Sequence, residues 1–563
     1  MTRVKAILAA VVVAAIVGLV PAQAATNVRF LGSGSSAMFQ QFTLAAYNAV
    51  CNNGAVGCTH WTAKNGAGVT AALHEQRTAA GTIPDEGGTI SVVYGPSVVT
   101  AGDTDIWAYL TVDSVVGNRC FFAVPRCTIV ISNQAGQNKI AAGLYDDNSS
   151  DLAAVLPANV FAALNGAATV TAAMTDIRPE DALFAQTRAV TALNTTTYAG
   201  LGYGTGAATQ IGTQILGATS ASGGAATPVC FHLTGKDCIN TTLSTVPTLT
   251  IPVGAAPITF IVNRTAGGTL AGTQPLNINT FAAQRLFGGQ VCEASAIDVI
   301  TNGGSTGPVH VVFREPLSGT MNTTEFTTFR IKALPNNSQE LGINPATANP
   351  VAALPCTKGG GDRTRAIGTG NLVAFVKATT DSIGYTFFSY GNVSSIAGSA
   401  NFGYLTLNGV DPIGTSTLAN QQLPTCAGPC ALAPNTSFPN LRNGGYSAWS
   451  IYRVATDKVT GTQVCTGGTQ SQATKNFCFA SALIAAAQAT INSKVPDFVP
   501  FTSQADGDKG LLVFRSHFTQ NGAPHNGINN ANHLEGGGDE GGCIELKADE
   551  LAIAPAEILN CRM

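Results

Sequence analysis

Hydrophobic and polar positions along the chain switch between a period near two and a period near 3.6, which predicts a recurring order of strand then helix. Residues 27–31 read as a short strand, 32–36 as a small polar turn and 38–50 as a helix. A second such unit is predicted with 59–63 as strand, 65–68 as loop and 69–77 as helix. Between 87 and 133, β-branched and aromatic residues alternate with polar ones, at 89–94, 106–112 and 120–123, the pattern of a β-rich insertion. The earlier order then resumes. Helices are predicted at 160–164, 181–190, 280–287, from Ser318 onward and entered from Gly368; strands are predicted at 169–174, 257–263, 309–313 and 383–389. Such alternation implies an α/β fold with a mainly parallel sheet flanked by helices. From Gln421 the pattern weakens into loops, apart from a helix over 476–491 and a strand over 509–514.

The first 24 residues carry Arg3 and Lys5, an apolar run over 6–20, and Ala22-Gln23-Ala24. That order predicts a secretory signal peptide cut after Ala24. The run is shorter than the ~20 residues a helix needs to cross a bilayer, and no later stretch is long and apolar enough. A periplasmic or secreted protein with no membrane span in its mature part is expected. Charged residues make up 11% of the chain and the net charge is −3, so no basic surface for nucleic acid or anionic lipid is expected.

An even count of 14 cysteines in an exported chain predicts disulfides. Spacing suggests the local pairs Cys51–Cys58, Cys120–Cys127, Cys230–Cys238, Cys426–Cys430, Cys465–Cys478 and Cys543–Cys561, leaving Cys292–Cys356 as a longer link. His525, His533, Glu535, Asp539 and Glu540 lie among glycines and read as a polar surface loop, so no metal site is expected. The segment Gly32-x-Gly34-x-x-Ala37 lacks the acidic residue ~20 positions on that a dinucleotide site needs. Gly303 to Gly307 runs into Pro308 and a strand, where a nucleophile elbow requires a helix.

The stretch Arg314-x-x-x-Ser318-Gly319-Thr320 combines a fixed cation, two hydroxyls and a glycine at a predicted helix start. These are the elements of an anion site. Gly32 to Ser36 offers a second hydroxyl-rich strand-to-helix turn, and Asp176 closes the strand predicted over 169–174.

Taken in order, the entry Gly32-Ser-Gly-Ser-Ser36, the strand end Thr175-Asp176, the Arg314 to Thr320 spacing, and the run from Gly370 to Tyr385 with Ser389-Tyr390 resemble the periplasmic phosphate-binding proteins of bacterial ABC uptake systems. The similarity runs in outline from about residue 27 to 455. It implies a two-lobed periplasmic-binding-protein type II fold, with 25–261 and 391–563 as lobe I, including the insertion at about 87–135, and 262–390 as lobe II. A disulfide-rich C-terminal extension follows. The implied ligand is hydrogen phosphate, held by Ser36, the Ala37 amide and Asp176 from lobe I, and by Arg314, Ser318, Gly319 and Thr320 from lobe II. Ser35, Asn65 and Glu315 are further candidates.

Three positions depart from the family. Residue 37 is alanine where an aromatic is usual, Asn65 stands in a loop where a serine-rich turn is usual, and Glu315 takes the place of an aspartate that pairs with the arginine. The implied partners are inorganic phosphate and an ABC permease, without a cofactor and without enzymatic activity. A secreted phosphate-ester hydrolase on the same fold, or an extracellular structural or adhesive protein that has lost transport, are the alternatives.

Overall fold

A computed structural model describes residues 24–51, 58–62, 90–97, 100–111, 113–114, 117–118, 121, 126, 128–130, 144–145, 156–165, 167–177, 248–271, 277–297, 306–314, 318–329, 354–366, 368–414, 421–425, 438–457, 470–494, 499–500, 513–516 and 542–545. Its main feature is a 13-stranded mixed sheet. In chain order its principal strands are β1 (Thr26–Gly34), β2 (Thr59–Thr62), β3 (Ile90–Pro96), β4 (Thr104–Thr111), β5 (Ala172–Thr175), β6 (Thr248–Asn263), β7 (His310–Arg314), β8 (Leu354–Pro355), β9 (Asp362–Ala366), β10 (Ser382–Phe387) and β11 (Trp449–Asp457). Their order across the sheet is β8-β9-β7-β10-β6-β11-β5-β1-β4-β3-β2.

Two parallel cores are visible in that order. In the first half β1 lies parallel to both β4 and β5; in the second β7 lies parallel to both β9 and β10. Two antiparallel strands, β6 and β11, join them. Strand β6 belongs to both halves. From Thr248 to Pro257 it pairs with β11, and from Ile258 to Val262 it pairs with β10. At the switch, the Ile258 N–H donates to the Ala448 carbonyl at 2.7 Å and the Phe388 N–H donates to the Pro257 carbonyl at 2.8 Å, so the backbone stays satisfied while partners change. Residues 257–263 were expected as a strand; the observed strand begins nine residues earlier, because 248–256 finds its partner in the distant β11.

The segment read as a β-rich insertion joins the principal sheet. Its strand β4 is the parallel neighbour of β1, and β3 turns back against β4. The strand expected to be the second of the α/β series, β2, sits at the sheet edge beyond β3. Alternation in β4 (TDIWAYLT) is compatible with either position, and only long-range pairing decides between them.

Each half has its own aromatic packing. In the first, Phe30 stacks on Trp107 at 6.0 Å and Phe39 on Tyr109 at 6.2 Å, beneath α1 (Phe39–Cys51), against which the long α6 (Gln472–Lys494) packs. In the second, Phe260, Phe287, Phe329 and Tyr385 form a mutual cluster with Phe287 and Phe329 rings 4.7 Å apart. Burying a side chain of this size contributes about 2–3 kcal/mol. The cluster pins α3 (Thr280–Phe287) to the sheet, whose start is capped by Asn279 Oδ1 accepting from the Ala282 N–H at 2.8 Å.

Cys292 and Cys356 are joined, with Cα atoms 5.8 Å apart, and link the loop after α3 to the entry of β9. Cys58 and Cys478 each take part in a separate disulfide. The remaining expected pairings, Cys120–Cys127, Cys230–Cys238, Cys426–Cys430 and Cys543–Cys561, involve side chains outside the described residues, as do Cys51 and Cys465. The signal segment, the helices expected at 69–77 and 181–190 and the histidine-containing loop also lie outside them. Among the described residues no helix is long and apolar enough to cross a membrane, and no group of three or more His, Cys, Asp or Glu could hold a metal ion.

Candidate functional site

Parallel strands of an open α/β sheet present their ligand sites beyond their C-terminal ends. Here the ends of β1, β4 and β5 from the first half and of β7 from the second converge on one buried cluster. Strand β1 runs into Gly34 and Ser35, and the Ser35 N–H donates to the Met174 carbonyl of β5 at 2.8 Å. A methyl group at position 34 would lie 1.9 Å from that carbonyl, and the local φ is 141°, so glycine is required there. Strand β4 leads to Asp113 and Ser114. Strand β5 ends in Asp176, whose side chain is 1% exposed.

From the second half, β7 ends in Arg314, itself 2% exposed, and Ser318 caps α4 (Gly319–Thr324), which continues as a π-helical turn over Glu325–Phe329. The Met321 N–H donates to Ser318 Oγ at 3.2 Å, the side-chain cap that the Ser-Gly-Thr spacing predicts. Asn322 Nδ2 donates to the Ser318 carbonyl at 2.6 Å. Gly319 faces the first half directly: a methyl there would lie 1.6 Å from Asp176 Oδ1 and 2.4 Å from Ser114 Oγ. Only a hydrogen lets the helix start approach the carboxylate this closely. Thr320 is buried beside it.

The arginine is held from several directions. Its Nη1 donates to Thr369 Oγ1 at 2.8 Å, in the first turn of α5 (Gly368–Ala378), and its Nη2 donates to Asp113 Oδ1 at 3.1 Å. Its backbone N–H donates to the Tyr385 hydroxyl at 3.3 Å, tying the strand end to the aromatic cluster.

Asp176 is pinned at both ends. Thr323 Oγ1 donates to its carbonyl at 3.2 Å, and Ser450 Oγ of β11 donates to the same oxygen. The Ser114 hydroxyl donates to its carboxylate, and the Ser35 hydroxyl is near enough to favour its charged form. Burial raises its pKa from 3.8 to about 6, the hydroxyls of Ser114 and Ser35 and the charge of Arg314 opposing that rise. The group therefore changes charge within the range where orthophosphate also does.

Asp176, Arg314, Ser318, Gly319 and Thr320 lie together in this cluster. Ser36 sits half-buried in the short turn Ser36–Met38, but it is the hydroxyl of its neighbour Ser35 that reaches Asp176. The Ala37 N–H donates to Ser35 Oγ at 3.3 Å, a long bond. Asn65 and Glu315 lie outside the described residues. The sequence reading missed Ser114, Asp113 and Thr369. A hydroxyl beside the Asp176 carboxylate comes from Ser114, after β4, and a carboxylate partner of Arg314 is Asp113. The available signal was Asp-Ser immediately after an apolar strand, the usual start of a capped turn.

Two parallel α/β cores on shared central strands thus bring a cation, hydroxyls, a buried carboxylate and a glycine-opened helix start together at one buried cluster. No protein-family model matches the chain, and no curated protein matches it. Among solved structures it is similar to a high affinity periplasmic phosphate-binding protein (PfluDING) bound with phosphate, at 15% identity over 83% of this chain and 90% of that one, with a TM-score of 0.33. It is also similar to an ABC-type phosphate transport receptor from Vibrio cholerae, at 12% identity over 43% and 72% with a TM-score of 0.25. The match to PstS from Borrelia burgdorferi has 10% identity and a TM-score of 0.23, covering 37% of this chain and 60% of that one. These superpositions are loose, and the chemistry of the site rests on the contacts within this chain.

Proposed function

We propose that the chain is an exported solute-binding protein that captures inorganic phosphate between two lobes, 25–261 with 391–563 and 262–390. The observation that carries this reading is the meeting of the Arg314 guanidinium, the Ser318-capped helix start, the Ser35 and Ser114 hydroxyls and the Asp176 carboxylate at one buried point. Donors from the second half match a tetrahedral oxyanion, and the fork of Arg314 suits two of its oxygens. Ser36, Ala37 and Thr320 line the same turns and supply further donors.

A carboxylate in such a site selects among anions. Hydrogen phosphate brings a proton that Asp176 can accept, whereas sulfate at neutral pH has none and leaves two like charges in contact. Delivery to an ABC permease, with the leader over 1–24 directing export, fits a protein that holds its ligand without transforming it. Calorimetry on the mature chain with phosphate, arsenate, sulfate and a phosphate monoester tests the proposal. Tight binding of phosphate and arsenate without turnover is expected; ester hydrolysis, or no heat with any of the four, would overturn it.

A further inference from the structure

Asp113 lies outside the set of oxyanion donors, yet it has the least ordinary backbone at the site. Its φ is 81°, in the left-handed region that aspartate and asparagine tolerate better than other side chains. Its carbonyl accepts from the Gly117 N–H at 2.9 Å, closing a helical turn whose second residue is Ser114. The kink therefore has two results. The backbone delivers the Ser114 hydroxyl to Asp176, and the side chain crosses to the other half and accepts from Arg314 Nη2.

A guanidinium is a rigid planar fork, so two anchors fix its plane where one leaves it free to swing. Two of the contacts of Arg314 come from different halves. Thr369 belongs to the same half as the arginine and stays with it however the halves are arranged; Asp113 belongs to the other. The Asp113 contact thus forms only when the halves are together, and adds a second restraint on the fork. Resting on the anion-capture reading above, we infer that Asp113 is a positioning residue acting as a cross-cleft latch. It favours the closed arrangement of the ligand-free chain and orients Arg314 for the oxyanion. Its side chain is 17% exposed, so the pair is partly screened and its effect is moderate, about tenfold in affinity.

Two variants separate charge from backbone. Asp113→Asn keeps the tolerance for a left-handed φ and loses the charge; Asp113→Gly keeps the turn and loses the side chain. Small-angle X-ray scattering on the phosphate-free mature chain reads closure, and calorimetry with stopped-flow release of inorganic phosphate reads alignment. Both variants are expected to show a larger radius of gyration without phosphate, to match the parent when saturated, and to release phosphate about tenfold faster. An Asp113→Asn protein with the parent's radius and release rate would overturn the latch, whatever the glycine variant does. The two readings fail differently. If the parent ignores phosphate while both variants expand, the capture reading falls and the latch stands; if the parent binds phosphate and the asparagine variant is indistinguishable from it, the reverse holds.

Discussion

The two halves of the molecule share a plan and divide the chemistry. Each has a parallel three-strand core, an aromatic cluster under it, and a buried tyrosine that touches the site: the Tyr109 hydroxyl donates to the Ser35 carbonyl in the first half, and the Tyr385 hydroxyl accepts from the Arg314 N–H in the second. What they place at the strand ends is opposite in sign. The first half brings Asp113 and Asp176 with two serine hydroxyls; the second brings Arg314 and the start of α4. A carboxylate-bearing face and a donor-bearing face attract each other before any guest arrives, and a guest carrying both negative charge and a proton satisfies both at once.

Removing the cation is the strongest way to break this complementarity. Arg314→Met keeps most of the side-chain volume but leaves Asp113 and Asp176 facing each other without an opposing charge, and phosphate affinity should fall about a thousandfold by calorimetry, equivalent to roughly 4 kcal/mol. A variant within tenfold of the parent would mean that the second half does not supply the main grip.

Changing the opposite face should act on stability as well as selectivity. The carboxyl of Asp176 titrates at about 6 in the folded chain against 3.8 ordinarily, so between these values the folded state holds the proton more tightly than the unfolded one. Its stabilising contribution is whole below pH 4 and is lost as the pH rises through 6. Asp176→Asn has no proton to lose, so its advantage over the parent in phosphate-free urea unfolding should grow by roughly 3 kcal/mol between pH 4 and pH 8. The same variant should narrow the preference for phosphate over sulfate at least tenfold, because an amide can donate to either anion; a pH-independent stability difference, or undiminished rejection of sulfate, would count against the assigned role.

The smallest change expected is at the helix start. Ser318→Ala removes the acceptor of the Met321 N–H, which should cost about 1 kcal/mol in thermal unfolding and weaken phosphate several-fold. If only stability changes, Ser318 is a cap and not a ligand donor.

Much of the second half's contribution was legible in the sequence, because Arg314, Ser318, Gly319 and Thr320 are close in the chain and their arrangement follows from one strand and one capped helix. The first half was legible only where the site follows a strand by a residue or two, as at Asp176. The Ser114 hydroxyl was missed, since choosing which strand neighbours β1 is a question of pairing across the sheet and not of local pattern. Thr59–Thr62 and Thr104–Thr111 both look like strands; only the second finds β1. Asp113 was illegible for a related reason: an ion pair 201 positions apart in the chain leaves no trace in spacing.

Strand β6, which changes partners between Pro257 and Ile258, has a bearing on how such a chain can be altered. Side chains along an extended segment alternate in direction, so one added residue at that junction would turn inside out whatever lies on one side of it while leaving the other side intact. The chain therefore has little freedom to drift in length there, in contrast to its surface loops.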